Sequence, residues 1–97
     1  MLIWDLKRKD VMAKAEFLWD DENVQHIADH GLTPEEVEPV VQNPRNVVTF
    51  SKSSGRSSTF GMTKTAKYII VVWEQHKDRP WTVRVTTAYE VPRPDRR

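Results

Sequence analysis

Ninety-seven residues suffice for one domain with a modest core, and 38% hydrophobic with 30% charged residues describes a globular chain rather than a disordered one. The absence of cysteine excludes a disulfide framework and any thiolate metal site, and fits a cytoplasmic location. A net charge of +1 conceals a division: residues 1–43 carry four Lys/Arg and ten Asp/Glu (net −6), and residues 44–97 carry eleven and four (net +7). Either the second half presents a surface to a polyanion, or the two halves neutralise each other across their interface. The overall pI near 8.1 falls short of a dedicated nucleic-acid binder. No apolar run approaches the roughly 18 residues of a membrane span. The opening MLIWDLKRKD has charge where a signal peptide needs its apolar core.

Taken in chain order, Leu2-Ile3-Trp4 suggests a short edge strand or a packed terminus, and Ala15–Trp19 a first strand. Asp20-Asp21 supplies an N-cap and negative charge for a helix whose apolar positions are Val24, Ile27 and Ala28, with Gly31 as its stop. Thr33-Pro34-Glu35-Glu36 then combines an N-cap, Pro at the first helical position and a capping-box Glu. Val37, Val40 and Val41 give this second helix its apolar face, and Asn43-Pro44 ends it. Pro39 inside it predicts a kink or a restart there.

Strands follow over residues 46–52, 56–63, 67–75 and 81–91, separated by Ser53-Ser54-Gly55, Lys64-Thr65-Ala66 and His76–Pro80. The third of these, apolar on both faces, is the central strand. In the last, simple alternation places Trp81, Val83, Val85, Thr87, Tyr89 and Val91 on one face and Thr82, Arg84, Thr86, Ala88 and Glu90 on the other. The expected fold is α+β: an antiparallel sheet of about four strands with two N-terminal helices on one face, in the order β-α-α-β-β-β. Residues 1–91 form one domain, and 92–97 a basic, Pro-containing tail.

Two constellations can carry chemistry. His26 and His30, four residues apart, lie on one flank of the first helix with Asn23. Such a pair can bind a metal, donate to phosphate or exchange protons near neutral pH, or be two satisfied surface histidines. Zinc fits poorly, since no third ligand has telling spacing. The second constellation is the non-core face of the last strand, where Arg84 lies between Thr82 and Thr86 with Glu90 beyond. Neighbouring strands add Arg56, Lys67 and Glu74. Cations there suit the charged transition state of in-line RNA cleavage, with titratable groups moving the protons. The same residues also make an ordinary solvated face with cross-strand ion pairs. Most of the four tryptophans read as core anchors.

The order of these motifs resembles the BrnT-like toxins of bacterial type II toxin–antitoxin systems. The strings that carry the resemblance are Trp19-Asp20, His26–Gly31, Leu32–Val37, Asn43-Pro44-Arg45, Phe60-Gly61, Lys67–Trp73 and Val83–Ala88, and together they span residues 17–91. The resemblance implies a RelE-like fold, endoribonuclease activity that cleaves RNA and arrests translation, and no cofactor or metal. It also implies a small DNA-binding antitoxin, often of ribbon-helix-helix type, in a dimer or a toxin–antitoxin heterotetramer. The polar positions carried over are His26, His30, Arg56, Lys67 and Arg84. Tyr89 stands where the family usually has arginine, and can act on a phosphate or stack on a base. Nothing in Pro92–Arg97 matches the family's basic C-terminal helix. The alternative is a non-catalytic interaction or RNA-binding module on the same scaffold.

Overall fold

Reciprocal hydrogen bonds start both helices. Asp20 accepts from the Asn23 backbone while the Asn23 side chain accepts from the Asp20 backbone, and Thr33 and Glu36 repeat the pattern. These caps open α1 (Asp21–Ala28) and α2 (Pro34–Gln42) in a computed structural model that describes residues 13–94. Between them Gly31, at φ 77°, takes the left-handed conformation that turns the chain. α2 runs unbroken through Pro39, contrary to the restart that proline suggested. Its three buried valines, Val37, Val40 and Val41, anchor it to the sheet while its capping box holds the first turn.

Five strands form one sheet: β1 (Glu16–Leu18), β2 (Val47–Ser51), β3 (Arg56–Met62), β4 (Tyr68–Gln75) and β5 (Thr82–Glu90). Their spatial order is β1-β5-β4-β3-β2, with β1 parallel to β5 and the other neighbours antiparallel. The expected α+β class, with two helices on one face and about four strands, is close to the two helices and five strands found. The parallel β1–β5 pair corrects the expected antiparallel sheet to a mixed one. The three residues of β1 pair with the last strand, a long-range partner that no local pattern reveals. The connection through α1 and α2 crosses one face, from the β1 edge to the β2 edge.

That face holds the core. Ile69, Val71 and Trp73 of β4 and Val83, Val85 and Ala88 of β5 meet Ile27, Leu32 and the α2 valines. Each fully buried Val, Leu or Ile side chain contributes about 1.5–3 kcal/mol. Trp73 is the one core tryptophan among the described residues, and its indole N–H donates to the buried Thr59 hydroxyl at 2.8 Å. Trp19 only packs against the rim, and Trp81 is exposed, so the expectation that most tryptophans anchor the core fails for these two. Trp4, the Leu2–Trp4 strand and residues 95–97 of the tail lie outside the described residues. No helix among the described residues is long and apolar enough to cross a membrane.

Candidate functional site

The geometry of the site depends on one irregularity. Trp73 pairs with Val85 and Val72 with Thr87, so Thr86 is an extra residue in β5. Such a bulge shifts the alternation by one position. Before it, Arg84 stands opposite Glu74; after it, Tyr89 stands opposite Ile70. Glu74 and Ile70 share a face of β4, so Arg84 and Tyr89 share the face the helices leave open. Simple alternation had placed them on opposite faces, and had put Ala88 with Arg84. Ala88 instead is fully buried in the core, and Glu90 pairs with Ile69 on the helix-covered side.

One end of the open face carries the arginines. Arg84 binds Asp20 at 2.7 Å and lies 3.9 Å from Glu22, so the start of α1 neutralises it. The Asn23 backbone N–H, and then the Arg84 guanidinium, hold the Asp20 carboxyl below the usual carboxylate range. The same ion pair raises Arg84 further above its ordinary value. Arg56 opens β3, exposed, opposite Ser51. Ser57 pairs with Trp73 on the core side, so alternation sets Arg56 on the open face, at the same end as the paired Glu74 and Arg84.

The other end gathers different chemistry. The His30 and Tyr89 rings are 5.6 Å apart, tilted by 49°. β1 pairs only with Thr82–Arg84, so among the described residues no strand flanks β5 where Tyr89 stands. His30, in the turn that ends α1, reaches the ring at this free edge. Lys67 donates to the Gly31 carbonyl at 2.9 Å, next to His30, and binds Glu36 at 3.2 Å. It precedes Tyr68 by one residue and so faces the helix side, not the Arg84 face. The Thr65 hydroxyl, the Lys67 ammonium and the Thr33 backbone together hold the Glu36 carboxyl below its usual value. His26 is exposed in the last turn of α1. No group of three or more His, Asp or Glu among the described residues is arranged to hold a metal.

The six sequence-predicted residues thus divide into a His30–Tyr89 pair, an Arg84–Arg56 end of the open face, and Lys67 on the helix side bound to the Gly31 carbonyl, with His26 one turn away from His30. Beside the pair, a cavity of about 500 Å³ is lined by Arg45, Phe60, Met62, Tyr68 and Arg93 among others. Its residues come from the α2–β2 loop, β2, β3, β4 and the segment after β5. The one local signal was Arg45, placed directly after the helix-ending Asn43-Pro44. Compared with protein-family models and with curated proteins, the chain matches none.

Proposed function

We propose that this chain is a toxin-like, metal-independent endoribonuclease with a RelE-like fold, neutralised by a small DNA-binding antitoxin in the cytoplasm. The observation that carries the reading is the His30–Tyr89 contact at an open sheet edge with Lys67 beside it. An imidazole exchanges protons near neutral pH, and a phenol donates to a phosphate oxygen. The reaction moves the 2′-hydroxyl proton to a base as that oxygen attacks phosphorus. The P–O5′ bond breaks, and the leaving oxygen takes a proton. The products are a 2′,3′-cyclic phosphate and a 5′-hydroxyl, with no water, metal or cofactor consumed. His30 serves as the proton-transfer group, Tyr89 as the phosphate donor, and Arg56 and Arg84 as contacts for more distant phosphates.

The test is cleavage of single-stranded RNA by the full chain in the presence of a chelator. Cyclic-phosphate ends are expected, with a loss of about 10²-fold or more in His30→Ala, typical of removing a proton-transfer group. Expression should arrest growth, and the neighbouring open reading frame should relieve it. Full cleavage by both His30→Ala and Tyr89→Phe would overturn the assignment. A second reading, a non-catalytic RNA-binding module, is favoured by the ion pairs that occupy Arg84 and Lys67. Binding without cleavage at any pH would select it.

A further inference from the structure

The cavity beside the His30–Tyr89 pair is built from parts that the cleavage reading does not use. Val47 of β2 pairs with Phe60 of β3, and Met62 pairs with Tyr68 of β4, so these four share the open face. Val47 is 63% exposed and Met62 39%, which leaves an apolar floor that neither α1 nor α2 covers. Two arginines rise at its rim. The Arg45 backbone N–H donates to the Asn43 side chain at 3.0 Å, an Asx turn that fixes the chain as it leaves α2. At the other end, the Val91 N–H donates to the Tyr68 carbonyl at 3.0 Å, which extends the pairing one residue beyond β5. Pro92 and Pro94 have no N–H to continue that ladder, so the chain leaves it and Arg93 joins the cavity wall.

Arg45 and Arg93 therefore line one cavity with Phe60 and Tyr68, and among the described residues no Asp or Glu lines it. Among the described residues, neither arginine forms an ion pair, whereas Arg84 and Lys67 both do. Like charges gathered around an apolar floor repel one another until an anion joins them. A flat apolar ligand alone leaves the arginines unanswered, and an inorganic anion leaves the rings unused. A nucleotide answers both, with its base on an aromatic face and its phosphates between the guanidinium groups. Tyr89 stands in one register row with Ile70 and the lining residue Phe60, two strands from β3, about 10 Å away. A strand of linked nucleotides can continue in that direction.

We infer that this groove binds single-stranded RNA, with one base stacked against Tyr68 or Phe60 and the flanking phosphates held by Arg45 and Arg93. The inference requires binding only and goes beyond the cleavage reading. The experiment is a fluorescence-anisotropy titration of labelled single-stranded RNA at several salt concentrations, using the full chain with His30→Ala so that the probe stays intact. Arg45→Ala and Arg93→Ala should each lower the slope of log affinity against log salt by about 0.7. Tyr68→Ala should weaken binding about tenfold at an unchanged slope, and Tyr68→Phe should restore it. Thermal melts of each variant separate lost contacts from lost folding. Wild-type affinity and slope in both arginine variants would overturn the inference, as would a mononucleotide that binds as tightly as the RNA. A self-associated chain that buries these residues would also overturn it. Wild-type chain that binds but does not cut leaves this inference standing and removes only the cleavage reading. Full cleavage by the double arginine variant does the opposite.

Discussion

Arg84 Nη1 stands 2.7 Å from Asp20 Oδ2, so the cation of β5 holds the residue that caps α1. One contact thereby joins the last strand to the first helix, and it occupies an arginine that also suits phosphate. Both side chains are about half exposed, so the pair is screened by solvent and contributes little to stability. Arg84→Ala should therefore lower the melting temperature only slightly, and by less in high salt. Its effect on RNA cleavage or binding should be the larger one. Equal, minor losses in both assays would limit Arg84 to holding the helix.

Asn23 is buried, and its amide donates to the Leu18 carbonyl at 3.0 Å and the Val85 carbonyl at 3.2 Å while its oxygen accepts from Asp20. It ties β1, β5 and the start of α1 together. Asn23→Ala removes one partner each from the buried Val85 carbonyl, the part-buried Leu18 carbonyl and the Asp20 N–H, and should cost about 1–3 kcal/mol in urea unfolding. Asn23→Asp should cost more, because a carboxylate would face those carbonyls. A loss below 0.5 kcal/mol, roughly that of an ordinary surface change, would refute this role.

Gly61 pairs with Ile69, and a Cβ there would lie 2.6 Å from Asn46 Cγ. The Asn46 amide is meanwhile bound to the Val40 carbonyl at 2.8 Å, which closes the end of α2. Gly61→Ala should destabilise by about 1–3 kcal/mol through this overpacking. Adding Asn46→Ala should recover part of that loss, so a double-mutant cycle should be non-additive. Simple additivity would show that the clash is absorbed elsewhere.

Acid stability should depend on Asp20 and Glu36, both of which ionise at lower pH in the folded chain than in the unfolded one. Each then adds stability that is complete above the ordinary carboxylate range, about pH 4, and that fades as pH falls through the lowered folded values. Unfolding free energy should therefore rise with pH below about pH 5 and level off above it. Glu36→Gln should flatten that rise. An acid limb as steep as wild type would exclude Glu36 as a source.

Much of the site could be read only in part from the chain. Thr33, Glu36 and the α2 valines were legible, because capping and a 3.6-residue period are local properties. So was the central place of β4, carried by one continuous apolar run, although only Ile69, Val71 and Trp73 on its helix-covered face are buried. Asp20 was legible as a cap, but Asn23 as its reciprocal partner was not, since asparagine at that position is a weak signal. The face of Tyr89 was misassigned because alternation assumes an unbroken ladder, and Thr86 breaks it.

What the sequence by itself determined is the two helices with their caps, the strand segments in chain order, and core residues such as Ile27 and the α2 valines, all of which follow from near-neighbour spacing. Val24, Ala28 and Trp81, apolar by the same spacing, are not buried. Tertiary structure alone decided the pairing of β1 with β5, the bulge that sets Arg84 and Tyr89 on one face, and the meeting of His30 with Tyr89. It also decided that Arg84 and Lys67 are neutralised while Arg45 and Arg93 line a common cavity. Each of these joins residues far apart in the chain. Such contacts are selected by the packing of the whole sheet, and no local window of sequence contains the partner.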